Sequence, residues 1–135
     1  MKGIQTLLKV KEQELSSERR RLREILNRLE DLKLKERELR HHLNSLKQTK
    51  VNSPFEFGFL CESGKAILRE IESVKAEIVR VQEEAERQRR VVALKRGELK
   101  AIERFIEKKR REKEQRDELL LERFINEVLN SRVNS

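Results

Sequence analysis

The chain has 135 residues, of which 43% are charged, 36% hydrophobic and 4% aromatic, and its formal net charge is +8. This composition excludes a compact globular core, which needs more apolar volume than the chain supplies. A charge-rich sequence with heptad spacing is typical of a coiled coil, and the regular spacing of its apolar residues argues against disorder.

The first predicted element is a single helix over residues 3–49. Apolar side chains recur at the a and d positions of a heptad repeat that places Leu8 at position a, as in the seam of a coiled coil. Because most seam positions share one register, we expect an uninterrupted helix. The predicted seam is Met1, Ile4, Leu8, Lys11, Leu15, Glu18, Leu22, Ile25, Leu29, Leu32, Glu36, Leu39, Leu43 and Leu46.

A short turn at residues 50–53 follows the first helix. Ser53 can cap the next helix, Pro54 suits its first position, and Glu56 can complete a capping box. A connection this short makes the two helices antiparallel. A start near Ser63 remains an alternative, because glycines weaken the first turns after the proline.

The second predicted helix covers residues 54–130, and its seam runs in one register to Ile106. Gly64 occupies a seam position, where we expect it to let the helices approach closely. The predicted seam is Phe57, Leu60, Gly64, Ile67, Ile71, Val74, Ile78, Val81, Ala85, Gln88, Val92, Lys95, Leu99, Ile102 and Ile106. The sequence therefore predicts an all-α, two-helix antiparallel coiled-coil hairpin, with residues 1–135 forming one domain.

Residues 107–118 are almost all charged, which predicts a single-helix extension without a partner helix. At about 1.5 Å per residue, the second helix would be about 110 Å long and the first about 70 Å. An apolar stripe then returns at helical spacing, and we expect it to bind a partner protein or a second copy of the chain. The stripe consists of Leu120, Leu121, Phe124, Ile125, Val128 and Leu129.

Polar residues interrupt both seams, and we interpret them as setting the register of the helices. Counting residues from the turn places Lys11 near Val92 and Glu18 near Ala85. The interrupting residues in question are Lys11, Glu18, Gln88 and Lys95. Four residues of the first helix are expected to form the core with four of the second: Leu22, Ile25, Leu29 and Leu32 with Ile71, Val74, Ile78 and Val81.

Three phenylalanines, Phe55, Phe57 and Phe59, cluster after the turn. We interpret them chiefly as a plug that closes the end of the coiled coil. Their alternate spacing distributes them around a helix, so at least one should face outward and could contact a partner.

No motif in the sequence predicts catalysis, a cofactor or a metal site. The segment Ser63–Ala66 departs from a phosphate-binding loop, because that motif needs glycine at position 59 and a hydroxyl at position 66. His41 and His42 diverge by about 100° on a helix and are not spaced to share a metal ion. A two-helix hairpin also lacks a cavity for a substrate. We therefore predict a protein that is not an enzyme and has no cofactor.

The single cysteine, Cys61, excludes an internal disulfide and fits a reducing compartment. The sequence shows neither a signal peptide nor an apolar run long enough to cross a membrane. These features predict a cytoplasmic protein.

The order of elements resembles the FliJ family of flagellar export proteins. A first helix of about 45 residues precedes a short break, and the second helix then begins with the aromatic segment FEFGFLCESGKAILREIESV. The charged stretch ELKAIERFIEKKRREKEQRDELLLERF outlasts the first helix. The stalk proteins of virulence type III secretion, the YscO group, are similar in shape.

This resemblance implies a stalk that inserts into a hexameric export ATPase, contacts the export-gate membrane protein and escorts empty export chaperones. It implies a cytoplasmic location at the inner face of the cell membrane, with only indirect membrane contact, and a monomer or weak self-association. Phe59 and Ala66 match the family's gate-contact pattern, whereas Ser63 and Glu70 do not.

Two other classes of function remain as alternatives. One is a structural coiled-coil scaffold or adaptor. The other is a nucleic-acid-binding arm that uses the basic excess of the first helix, although that helix has no aromatic residue to stack on bases and its basic residues alternate with acids. We therefore expect no nucleic-acid partner.

Overall fold

A computed structural model describes residues 2–133 and contains two helices, α1 over Lys2–Lys47 and α2 over Pro54–Val133. No strand is present within that range. The helices pack against each other, so the predicted all-α two-helix hairpin is confirmed. The seam position assigned to Met1 and the tail residues 134–135 lie outside the described residues.

The turn closes with the expected capping residues. The Glu56 amide donates to Ser53 Oγ at 3.2 Å, and the Glu56 carboxylate accepts a hydrogen bond from the Asn52 amide at 2.9 Å. In a standard capping box the Glu56 carboxylate would accept from the amide of the cap residue, Ser53. Here the donor is the amide of Asn52, the residue before the cap. Because these bonds satisfy amides at the helix start, α2 begins at Pro54 and not near Ser63. The connection, residues 48–53, is slightly longer than predicted.

Contacts divide the chain into two compact units. One unit spans Ser16–Ala93, and the other joins the residues up to Leu15 with those from Leu94 onwards. Each unit contains part of α1 and part of α2. The assignment of the whole chain to one domain stays a prediction.

The largest buried cluster lies in the unit Ser16–Ala93. Its composition confirms most of the predicted core, and Ile71 is also buried while Leu22 is half-buried. The buried members are Ile25, Leu29, Val74, Ile78, Val81 and Ala85, with Leu26, Leu32 and Leu39 packed against them. Burial of these aliphatic side chains supplies the main stabilisation of the unit.

Gly64 does not serve the close helix approach that its seam position suggested. A Cβ atom built on it would meet only Leu43 Cδ1, at 4.0 Å, which is an ordinary van der Waals distance. Phe57, also assigned to the seam, is 59% exposed. The seam therefore loosens towards the turn, because α1 ends at Lys47 and leaves the first turn of α2 without a facing helix.

The core assignment predicts a large stability difference between two leucines of α1. Leu29→Ala should lower the free energy of unfolding by about 2–4 kcal/mol, because it removes a buried side chain from the cluster. Leu34→Ala, at a position that is 48% exposed, should change it by less than about 1 kcal/mol. Urea unfolding followed by circular dichroism measures both. Equal effects would show that the cluster is assigned to the wrong face.

Candidate interaction surfaces

An ion-pair cluster joins the two helices in the unit that contains Lys11 and Lys95. Lys11 Nζ lies 3.0 Å from Glu98 and 3.2 Å from Glu14. Lys95 Nζ lies 3.1 Å from Glu14 and 3.8 Å from Glu98. Each charge thus has two neighbours of opposite sign, and the four residues form a closed ring. We call these four residues the ion-pair ring.

The ion-pair ring favours the charged forms of Glu14 and Lys11. Hydrogen bonds from Lys95 and then Lys11 lower the pKa of the Glu14 carboxyl, and hydrogen bonds to Glu98 and then Glu14 raise the pKa of the Lys11 ammonium. Desolvation opposes both shifts but is the smaller effect. Glu14 and Lys11 therefore stabilise this unit most where the Glu14 carboxyl is ionised and the Lys11 amine is protonated.

A second polar pair lies in the unit Ser16–Ala93. Gln88 is buried, and its Nε2 group donates hydrogen bonds to the Glu18 backbone oxygen at 2.9 Å and to the Glu18 carboxylate. A buried amide that loses its partners carries a desolvation penalty of about 1–3 kcal/mol. This arrangement supports the interpretation of Gln88 and Glu18 as register-setting residues.

The partners of Lys11 and Glu18 lie further along α2 than Val92 and Ala85, the neighbours predicted by residue counting. In a helix, side chains lean towards the N-terminus. In an antiparallel pair, a side chain of α1 therefore leans towards higher residue numbers in α2. Its partner on α2 leans towards lower residue numbers in α2, so the two side chains approach each other. Long polar side chains meet diagonally for this reason.

Sequence reasoning identified the two lysines of the ion-pair ring but missed Glu14 and Glu98. Both glutamates immediately precede a seam leucine, at the g position of the heptad, where charged side chains flank the core. A glutamate at a g position, close to a lysine in the facing seam, was the sequence signal that could have predicted these ion pairs.

The stripe near the end of α2 is exposed throughout. Every residue from 113 to 132 is exposed. The exposed fractions of the six apolar side chains of the stripe range from 38% at Val128 to 63% at Phe124. We call Leu120, Leu121, Phe124, Ile125, Val128 and Leu129 the C-terminal stripe. At 100° per residue they cover about half of the helix circumference, whereas Leu119 lies on the opposite face.

The charged segment before the C-terminal stripe is held by contacts within its own helix. Glu107 pairs with Arg110 at 2.8 Å and with Arg111 at 3.2 Å, and Lys109 pairs with Glu112 at 3.5 Å. Arg110 hydrogen bonds lower the pKa of the Glu107 carboxyl. Such pairs at three- and four-residue spacing each stabilise a helix by about 0.2–0.5 kcal/mol without any tertiary contact.

The predicted aromatic plug after the turn is wrong. Phe55, Phe57 and Phe59 are 84%, 59% and 67% exposed. Successive members of this set are about 200° apart on the helix, so they cannot converge on one seam. Phe55 and Phe59, four residues apart, instead share a face, and Phe57 lies on the other side.

The two residues matched to the gate-contact pattern, Phe59 and Ala66, are both exposed on α2. They are seven residues apart and therefore lie on the same side of the helix. Ser63, between them, is half-buried, and Glu70 is exposed.

His41, His42 and Cys61 are exposed. Among the described residues, no group of three or more potential metal-binding side chains comes together. Within the same range, neither helix is long and apolar enough to cross a membrane. Comparisons with models of protein families, with curated proteins and with solved structures find no match.

The ion-pair ring predicts a pH-dependent contribution to stability. Because the pKa of Glu14 is lowered, its contribution is complete above the ordinary carboxyl value of 4.5 and is lost as the pH falls through the lowered pKa. Glu14→Gln should therefore lower the melting temperature at neutral pH, and the difference from the unchanged protein should vanish in acid. Thermal unfolding followed by circular dichroism across a buffer series measures this.

Glu12→Gln is the matched control, because Glu12 is an exposed glutamate of the same helix outside the ring. It should leave the melting temperature at neutral pH nearly unchanged. The raised pKa of Lys11 predicts a second loss at alkaline pH, above its ordinary value of 10.5. A Glu14→Gln effect that persists unchanged into acid would show that the residue acts through packing.

Proposed function

We propose that the chain is a non-enzymatic stalk and escort protein of a flagellar type III export apparatus. In this role it binds the hexameric export ATPase and the export gate and helps to recycle export chaperones. The observation that carries the proposal is the C-terminal stripe, an exposed apolar face that follows a charged stretch of α2 stabilised by ion pairs within the helix. The resemblance to the FliJ family supplies the identity of the partners.

The construction of the helices supports a stalk role. α2 contains 80 residues, and its exposed charged segment is stabilised by pairs within the helix. A helix that inserts into a ring of other subunits needs such intrahelical ion pairs, because it must remain helical before the ring contacts it. Its seam with α1 is fixed in register by the ion-pair ring and by Gln88.

The C-terminal stripe supports binding to a protein partner. Four such side chains buried in a partner would contribute on the order of 6–12 kcal/mol before the cost of ordering is subtracted. A face that covers half of a helix is wider than the narrow seam of a two-stranded coiled coil. It suits a groove or a ring of helices, which is the setting of a stalk in an ATPase pore.

The proposed location is the cytoplasm, at the inner face of the cell membrane, with membrane contact made through the export gate. Phe59 and Ala66, exposed on one side of α2, are the residues proposed to contact the gate. The same reading extends to a stalk of virulence type III secretion, because the shape required is the same.

A structural scaffold is the second candidate. It would use the C-terminal stripe to pair with another copy of the chain, since an exposed apolar face of this kind also suits self-association. Sedimentation of the purified protein distinguishes the two. A stable dimer or higher oligomer favours the scaffold, and a monomer favours the stalk.

The first functional prediction concerns the ATPase. Purified chain added to the cognate export ATPase should raise its rate of hydrolysis and promote its hexamer, while the chain alone should hydrolyse no ATP. Phosphate release and mass photometry measure the two effects. If neither the rate nor the oligomeric state changes, the stalk role is excluded.

The second functional prediction concerns the C-terminal stripe. Leu121→Asp with Phe124→Asp should abolish partner binding, because two charges in an apolar contact cannot be desolvated. The melting temperature should change little, since both side chains are exposed. Pull-down of the ATPase and thermal unfolding measure the two effects.

The control for this pair is Leu119→Asp with Asn126→Asp, which adds the same charge on the opposite face of α2. Both control positions are exposed, and binding should persist. Normal binding by the stripe variant would show that the C-terminal stripe is not the contact. Unfolding of that variant would show that the stripe packs on the chain itself.

A further inference from the structure

A groove beside the turn, in the unit Ser16–Ala93, forms a second apolar surface that the export role does not use. Its volume is about 440 Å³, within the range of sites that accept small ligands or side chains. Its walls are Val51, Phe57 and Leu68, which are 40%, 59% and 50% exposed. We call this feature the turn groove. Phe59 and Ala66 are not among its lining residues.

Gly64 forms part of the floor of the turn groove. In the interior of a helix, glycine costs about 1 kcal/mol relative to alanine. No close contact with α1 requires it here, because an added Cβ would meet only Leu43 Cδ1 at 4.0 Å. The missing side chain therefore leaves open space in the floor, into which an apolar side chain of another molecule can insert.

The charge around the turn groove is basic. Lys47 and Lys65 line it, and no carboxylate does. Of the nearest acids in sequence, Glu56 accepts a hydrogen bond from the Asn52 amide, whereas Glu62 forms an exposed pair with the groove residue Lys65 itself, at 3.5 Å. An exposed pair at that distance contributes little, so Lys65 can exchange Glu62 for another carboxylate.

From the apolar walls, the open floor and the basic edge, we propose that the turn groove is a docking site for an acidic amphipathic helix of a partner protein. Apolar side chains spaced three and four residues apart would contact Phe57, Leu68 and the space above Gly64. Carboxylates flanking them would pair with Lys47 and Lys65. Helix-in-groove recognition of this kind uses apolar anchors for affinity, and the charges select the partner.

The experiment uses the full chain and two fluorescently labelled helical peptides of identical apolar residues. One peptide carries glutamates at its remaining positions and the other carries lysines. Fluorescence anisotropy should show that the acidic peptide binds at least about tenfold more tightly than the basic one. Lys47→Glu with Lys65→Glu should reverse this preference. Equal affinity of the two peptides, or binding of neither, would overturn the proposal.

A matched pair of glycine variants tests the location. Gly64→Leu fills the floor and should weaken acidic-peptide binding by at least about tenfold. Gly97→Leu makes the same change in the same helix at a position with nothing within 4 Å, and it should leave binding unchanged. Equal effects of the two variants would place the peptide elsewhere.

Cys61 gives a direct readout of occupancy. It lines the turn groove, it is exposed, and it is the chain's single cysteine. Acidic peptide at a free concentration of about ten times the dissociation constant should slow its alkylation by iodoacetamide to about a tenth of the free rate. An unchanged rate would overturn the assignment of the peptide to this groove. Protection that grows with protein concentration in the absence of peptide would identify a second copy of the chain as the occupant and also overturn the proposal.

Discussion

The structure depends on one constraint: apolar side chains of α2 need cover, and α1 supplies only 46 residues of partner against the 80 of α2. Where the two helices pair, aliphatic residues are removed from water, as in the cluster around Leu29 and Val81. Where α2 has no partner helix, it carries charged side chains that form ion pairs with residues three or four positions away in the same helix, as Glu107 does with Arg110. The exposed apolar residues of the C-terminal stripe depart from this rule, because they are neither covered by α1 nor charged.

The two contact units are stabilised by different chemistry. In Ser16–Ala93 the seam is a nearly continuous aliphatic core with one buried amide at Gln88, whose Nε2 group is hydrogen-bonded to Glu18. In the other unit, the half-buried ion-pair ring takes the place of apolar residues. Ion pairs that remain partly exposed contribute less than buried aliphatic contacts and respond to salt and pH. The free energy that holds the helices together is therefore concentrated in the aliphatic unit.

The heptad pattern made most of the fold predictable, because a period of 3.5 residues leaves one arrangement that buries Ile25, Leu29 and Val81 together. It failed at Phe57, since a heptad position is buried only if a facing helix reaches it, and α1 ends too early for that. The C-terminal stripe was predictable from spacing alone. The ion-pair ring was not fully predictable, because its glutamates lie beside the seam and find their lysines only once the register is fixed.

The exposed apolar surfaces share an energetic property that bears on function. Phe57 and Leu68 beside the turn, like Phe124 in the C-terminal stripe, gain less from the fold of the isolated chain than the buried seam residues do, because half or more of each side chain remains in water. Gly64 adds a cost in helix propensity that no close packing offsets. In a chain where 43% of residues are charged, apolar side chains could have been confined to the seam. Their placement outside it leaves apolar area in water, and a partner that covered these surfaces would add to the stability of the folded chain.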